Sequence, residues 1–507
     1  MAIRPARLFG LFLLLSLLTR GAFLSIPILD IDEAAYAVGS WELLRGGRLY
    51  TDFADNKPPL LYGYYALPQV VLGRGMLAVR LFTTVVTLPL TALALSAFFG
   101  HDRRGAAAGI LYLVYGAAFY AHDMQSVNAE IPMLLPGAWA LVQLRKEDSG
   151  TRDAVVAGLL FGVAFLVKYQ IAFWLAAAPL ALAWAGEWRR ALRCAAALAA
   201  GFALPLLAAW GAFQATGGAG DLLYWTLGWN VTYVENPILA GEALRRAGRG
   251  LLPFLAATAP LWWAWLRAKD LPPASYERRL VAALLVVSVP SAFLGLRFFP
   301  HYFIQLYVPL ALGAAPWVAR AFTAPLARSA RRFAAATVVL FAGFTATSLY
   351  LFHLRQDTYE ETSPRLSEAA AWLRADRCSS APTLFVWGYA PTLYYLSGLR
   401  PASRFVVPQA TLTGYVPGNT ASATGQVDAT RLIRTEHWDL LMGELESRPA
   451  AYIVDTAPSG IHRWNHYPLR DFPRLARLVN ESYEQAAVVG GLVVYRRRGC
   501  RGSADLR

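Results

Sequence analysis

Three carboxylates fall within four residues, at Asp30, Asp32 and Glu33, directly after the first apolar stretch of the chain. A second polar element, Asp55-Asn56-Lys57-Pro58-Pro59, follows downstream. Carboxylates at a membrane boundary are costly unless water or a cation compensates them, so they are functional candidates by default. Chemically, a carboxylate there can act as a general base, and a lysine facing it across a loop can hold a phosphate. The lysine is informative because the chain has only 4 Lys against 43 Arg. Where arginine fills nearly every cationic role, a retained lysine suggests a need for a compact point charge. The plainer alternatives are a solvated loop edge for the acids and an Asp55–Lys57 ion pair for the lysine.

These residues must be held by a largely apolar chain. Of 507 residues, 56% are hydrophobic and 16% charged, against about 25% charged in ordinary globular domains. Residues 1–353 carry 29 basic and 18 acidic side chains, and 354–507 carry 18 and 15. The sequence therefore divides into a long apolar part, 1–353, and a tail of globular composition, 354–507. That excludes a soluble enzyme, a disordered chain, a disulfide scaffold and a coiled coil. Eleven candidate spans are predicted at 8–29, 76–99, 106–121, 131–144, 154–168, 170–186, 194–214, 250–266, 280–296, 301–319 and 333–353. The first keeps Arg20 within it and reads as a retained anchor rather than a cleaved leader. With the N-terminus cytoplasmic, 18 of the 29 basic residues fall on cytoplasmic turns, following the positive-inside rule. The net charge of +14 is thus a signal of topology, and nothing resembles a nucleic-acid-binding face. The loop 30–75, the turn 122–130, the loop 215–249 and the tail are then predicted to face outward, in a bacterium into the periplasm.

Helix and strand patterns alternate in the tail: helix over 363–376 with Ser363 before Pro364, strand 383–387, helix 428–446, strand 451–454, helix 471–481 and strand 487–496. They suggest a small α/β domain without a nucleotide-binding glycine loop, a Cys/His metal spacing or a nucleophile elbow. Cys378 precedes one strand and Cys500 follows another, and an antiparallel pairing of those strands would bring the thiols together. Cys194 reads as packing. In the loop 215–249, the aromatic run from Tyr224 to Tyr233 suits a helix lying in the membrane interface, either over a lipid tail or as a belt anchor.

The stretch Asp32-Glu33-Ala34-Ala35-Tyr36-Ala37, followed by Lys57-Pro58, resembles the GT-C membrane glycosyltransferases. The branch it is most similar to comprises bacterial relatives of protein O-mannosyltransferases and lipid A aminoarabinose transferases. The resemblance extends through Trp41–Gly47, His122–Pro132 and Arg297–Pro309. It implies a polytopic α-helical membrane protein of the GT-C type with a C-terminal periplasmic α/β domain, its catalytic outer loop at 30–75. It further implies that Asp32 is the catalytic base, that Glu33 supports the site and that Lys57 holds the lipid phosphate, with Asp30 and Tyr36 beside them. Aminoarabinose transferases tend to have Glu before that lysine where this chain has Asn56, which weakens any transfer of their sugar specificity.

His122-Asp123 and Asn128-Ala129-Glu130 resemble the family's second acidic site, lining the cavity through Asp123 or Glu130, or else form an ordinary helix N-terminus. Lys168 could reach a phosphate or snorkel to the surface. Arg297, His301 and Tyr302 match an element that faces the lipid-phosphate sugar, Arg297 being suited to bidentate phosphate contact. Arg20 and Arg80 read as snorkelling or helix-pairing residues. The expected activity is an inverting transfer of a hexosyl or pentosyl group from a polyprenyl-phosphate-sugar to an acceptor hydroxyl on the periplasmic face. The acceptor is a lipid such as lipid A, a glycan or a protein. No cofactor is expected; the carboxylates could in principle hold a divalent metal, but no recognised ligand spacing is present. A membrane transporter and a non-catalytic polyprenyl-phosphate-binding envelope assembly protein are the alternatives. Transport would favour midplane sites and repeated halves, and neither is visible in the sequence.

Overall fold

The computed structural model describes residues 2–231, 238–268, 276–322, 328–355, 360–376, 378, 382–407, 409–415 and 430–500. Among these residues six helices are long and apolar enough to cross a membrane: Pro5–Phe23, Met76–Phe98, Trp188–Ala215, Tyr276–Leu296, Pro300–Ala321 and Arg328–His353. The other expected spans also hold helix, at Arg103–Tyr115, Glu130–Leu144, Thr151–Phe165, Tyr169–Ala183 and Ala240–Arg267. The first four of these have 10–17 residues, short of the roughly 20 that a full crossing needs.

The fold divides into two compact units. One comprises Met1–Ile26, Pro58–Ala212 and Ala243–Tyr350, and the other Pro27–Lys57, Phe213–Glu242 and Leu351–Arg507. The first unit is helical. Its helices approach closely where the side chain is only a hydrogen atom. A methyl group built on Gly158 would lie 2.1 Å from the Leu198 carbonyl oxygen, and one on Gly201 2.0 Å from that of Val155. Small residues at helix interfaces are how membrane helices gain packing without a hydrophobic drive. Arg20 and Arg80 are buried, not snorkelling: Arg20 donates to the Gln125 carbonyl at 3.3 Å, and Arg80 to the carbonyls of Phe23 and Ile26. They satisfy backbone oxygens left open where helices end.

In the second unit, the segment expected as the beginning of an open loop is a helix, Ile31–Leu44. Asp30 caps it by accepting from the Asp32 amide at 2.9 Å, and Asp32 and Glu33 occupy its first turn, where carboxylates favour the positive helix end. The later part of the expected loop, in the first unit, is a second helix, Pro59–Leu72, opened by proline at its first position. Helix Ile31–Leu44 is anchored to the tail: Trp41 stacks on Tyr395 at 4.9 Å, and Glu42 accepts from Arg400 at 2.8 Å.

The tail is an α/β domain around a five-stranded sheet. Its strands are β1 (Thr383–Trp387), β2 (Arg400–Pro401), β3 (Tyr452–Asp455), β4 (Tyr483–Val489) and β5 (Leu492–Arg497), in the order β2-β1-β3-β5-β4. β1 pairs parallel with β2 and β3, whereas β5 runs antiparallel to β3 and β4. The central strands β1 and β3 read as apolar runs because both faces are covered: Leu384–Trp387 and Tyr452–Val454 are fully buried. The single strand predicted over 487–496 is a hairpin, because Gly490 and Gly491 take φ of 60° and 81° and supply the tight turn. Ser363 caps helix Pro364–Ala375 as expected. Cys378 and Cys500 form a disulfide with Cα atoms 5.2 Å apart. The route differs from the expected one, since β3 lies between β1 and β5. Cys194 is a free, half-buried thiol.

The aromatic run after residue 215 forms short helical segments, Ala219–Leu223 and Tyr224–Gly228. Both of its tryptophans are buried, Trp225 at 2% and Trp229 at 5% exposed, and Trp225 lies 5.0 Å from the His437 ring and 6.2 Å from Phe405, while Leu223, Tyr224 and Leu227 are exposed. Tyr233 and Thr232 lie outside the described residues.

Candidate functional site

The expected site residues fall into one group in each unit. In the second unit the cap at Asp30 fixes the start of helix Ile31–Leu44, so residues 32, 33 and 36 follow at helical spacing. Residues four apart share a face, and the Tyr36 hydroxyl accordingly donates to Asp32 Oδ2 at 2.8 Å. Tyr36 is fully buried while Asp32 is half-buried, so the ring is a rigid support and the carboxylate is accessible. Glu33 points away from that pair. Its side chain is fully buried and accepts from the Leu29 amide at 3.0 Å, which locks the chain entering the helix.

Lys57 comes to the same tyrosine, with its Nζ 5.7 Å from the Tyr36 ring centroid, within cation–π range. Its Nζ also donates to Asn56 Oδ1 at 2.8 Å, and its carbonyl accepts from the Tyr50 hydroxyl at 2.7 Å. Asn56 is held in turn by Asn230, through one amide–amide contact of 3.1 Å and a bond from Asn230 Nδ2 to the Asn56 carbonyl at 2.9 Å. In the sequence Asn230 shows only as the start of a formal Asn-Val-Thr glycosylation sequon, which gives no hint of this contact, because the contact spans 174 residues.

In the helical unit a second polar group is built on the residues around 123, 130, 168 and 301. Asp123 is buried and takes two imidazoles, His301 Nδ1 on Oδ1 at 2.5 Å and His122 Nε2 on Oδ2 at 3.0 Å. Burial opposes the charge of Asp123, but the neighbouring imidazoles His122 and His301 hold its carboxyl well below the usual carboxylate range. Lys168 pairs with Glu130 at 3.0 Å, with 5% and 0% of their side chains exposed. Snorkelling of Lys168 is therefore excluded. Its Nζ also lies 5.5 Å from the Tyr302 ring centroid. Both acids that were alternatives in the sequence, Asp123 and Glu130, belong to this group.

Arg297 sits in a strained turn. Gly295, Leu296 and Phe298 have φ of 70°, 52° and 51°, and the Phe298 carbonyl comes so close to Gly250 that a methyl group there would be 2.3 Å away. Non-glycine residues in this region persist only where the surroundings over-determine them, and such strain gathers at functional sites. The turn carries Arg297 into the interior, where it is 2% exposed.

In the second unit a carboxylate and an ammonium thus meet on one tyrosine, a pairing suited to acid–base work, and in the helical unit imidazoles and a lysine gather on two buried acids. A family model described as dolichyl-phosphate-mannose-protein mannosyltransferase matches residues 56–212. The chain is similar in structure to ArnT from Cupriavidus metallidurans bound to undecaprenyl phosphate, with a TM-score of 0.62, 16% identity, and coverage of 97% of this chain and 98% of that one. The apo state of the same enzyme matches with a TM-score of 0.58 and 17% identity over 96% and 97%. The oligosaccharyltransferase AglB from Archaeoglobus fulgidus is more distant, with a TM-score of 0.48 and 13% identity over 98% of this chain and 74% of that one. No curated protein matches by sequence. The chain has the fold of the GT-C membrane glycosyltransferases. Within that class it resembles the protein mannosyltransferase family and ArnT.

Proposed function

We propose that the protein transfers a sugar from a polyprenyl-phosphate-sugar donor to an acceptor hydroxyl, with Asp32 as general base. The observation that carries this reading is the triplet Asp32, Tyr36 and Lys57, which places an accessible carboxylate and an ammonium on the two parts of one buried tyrosine. In the step we write, Asp32 takes the proton of the acceptor hydroxyl as its oxygen bonds to the anomeric carbon. The bond from that carbon to the phosphate oxygen breaks, and its electron pair leaves with the polyprenyl phosphate. Attack opposite the phosphate inverts the anomeric centre. Lys57 offsets charge growing on the leaving phosphate, the kind of electrostatic contribution that is usually the largest in catalysis. Arg297, His301 and Tyr302 are assigned to binding an anionic lipid headgroup, with Asp123 holding His301 and Glu130 holding Lys168. A hexosyl or pentosyl group suits this chemistry equally.

The arginine distribution supports an inner-membrane protein with a cytoplasmic N-terminus and a periplasmic tail. The Cys378–Cys500 disulfide fits an oxidising compartment for that tail. The test is reconstitution of the purified chain with undecaprenyl-phosphate-linked sugars and an envelope lipid acceptor, following release of undecaprenyl phosphate. The unaltered protein should consume donor, and Asp32→Asn should lower the rate by roughly 10²–10⁴-fold. An unchanged rate in Asp32→Asn would remove the base assignment. Failure to consume any donor would leave transport or envelope assembly as the function.

A further inference from the structure

The tail contains a cleft of about 540 Å³ that the transfer chemistry does not use. That volume lies within the range of small-molecule sites. Its floor is the sheet face at the junction of β3 and β5, with Asp455, Val493 and Tyr495, and its rim carries Asn465, Arg470 and Asn480. The cleft opens beyond the carboxyl end of β3, the edge of an open α/β sheet where ligands characteristically bind.

One wall of the cleft is the segment from residue 456 to residue 470, and it is held unusually firmly. Asp455 ties both ends, accepting from the Ala457 amide at 2.9 Å and the Leu469 amide at 3.2 Å. Tyr415 donates to the His462 carbonyl at 3.0 Å, and Trp387 Nε1 to the Tyr467 carbonyl at 2.9 Å. The His462 amide donates to Glu360 at 3.0 Å. These ties maintain His462 and Arg463 at φ of 49° and 61°, left-handed conformations that are uncommon outside glycine, above all for an arginine. Over-determined, strained backbone of this kind gathers at ligand clamps and other functional sites.

The lining chemistry fits a saccharide. The rim amides of Asn465 and Asn480 each offer two donors and an acceptor on one plane, which suits neighbouring sugar hydroxyls. The half-buried Tyr495 ring and the aliphatic floor suit the C–H face of a pyranose. The Asp455 carboxylate is engaged by backbone amides, so among the described lining residues Arg470 is the one charged rim group, and a neutral ligand meets no uncompensated acid there. We propose that this cleft is a binding site for a neutral oligosaccharide, separate in position and chemistry from Asp32.

The full-length protein in lipid nanodiscs is titrated with isomaltotriose and with chitotriose, a hydroxyl-only and an N-acetylated trisaccharide, using saturation-transfer NMR. At least one should bind. Ala476→Trp, which fills the cleft from helix Pro473–Ser482, should abolish the signal. Asn465→Ala and Asn480→Ala should each weaken binding about fivefold, the loss of one hydrogen bond. An unchanged melting temperature in each variant shows that the tail is folded. Asp32→Asn should bind as the unaltered protein does, so loss of transfer and loss of saccharide binding are separate outcomes. No binding of either sugar by the unaltered protein, or undiminished binding in Ala476→Trp, overturns the proposal.

Discussion

The Tyr36 hydroxyl donates to Asp32 Oδ2 at 2.8 Å while the Lys57 ammonium lies 5.7 Å from the centre of the same ring. One buried side chain thus fixes the positions of two groups that the sequence separates by 25 residues. A hydrogen bond to a charged group contributes about 1.5–3 kcal/mol, or roughly 10- to 150-fold in rate if it is needed in the transition state. Tyr36→Phe is therefore expected to lower kcat/KM by at least about tenfold, with Lys57 still over the ring. Steady-state transfer kinetics of the reconstituted protein measure this, and an unchanged kcat/KM would show that the hydroxyl does not orient Asp32.

The Lys168–Glu130 pair is buried on both sides. Removing one partner of such a pair strands a charge and typically costs ~3–5 kcal/mol, whereas replacing both with apolar groups is far milder. Lys168→Met should destabilise the helical unit strongly, and adding Glu130→Leu should recover most of the loss. Unfolding in mixed micelles gives the coupling between the two positions. Additive effects would mean that the pair is not formed.

Gly158 and Gly201 face backbone oxygens with no space for a methyl group. Gly158→Ala and Gly201→Ala should each force helices Thr151–Phe165 and Trp188–Ala215 apart and cost about 1–3 kcal/mol, the usual penalty of overpacking. Gly10, with nothing near its missing side chain, should tolerate alanine. Melting temperatures of the three variants in detergent decide the ordering.

His462 gives the tail a defined pH response. Burial opposes its charge, but the Glu360 and Glu361 carboxylates, 2.6 and 2.7 Å away, push its value from 6.5 up to about 10. A raised value means that the charged form stabilises the folded state. That contribution is complete below about 6.5 and disappears as the pH rises through about 10. The melting temperature of the protein should exceed that of His462→Gln most at pH 6.5, and the gap should narrow steadily to pH 10. A gap independent of pH would assign His462 to packing alone.

Much of the site was legible locally. Asp30, Asp32 and Glu33 stand out because charge is conspicuous beside an apolar span, and Lys57 because lysine is rare in this chain. The same residues carry a second signal: an aspartate followed by two acids is a helix start, and the predicted loop is a helix there. Proline at the first position likewise marked helix Pro59–Leu72. The hairpin in 483–497 reads as one strand although Gly490-Gly491 announces its turn, because the flanking residues share one apolar pattern.

By itself the sequence determined the helical class, the division in composition near residue 353 and the alternation of elements in the tail. These follow from hydropathy, periodicity and turn residues, which act over a few positions. Only the tertiary structure decided that Tyr36 joins Asp32 to Lys57, that Asn230 holds Asn56, that Asp123 takes both histidines and that Lys168 is paired inside. Each of these is set by the spatial meeting of separate helices or loops, where burial makes an unpaired polar group too costly to leave. The sequence named most of the partners, and packing chose the pairs.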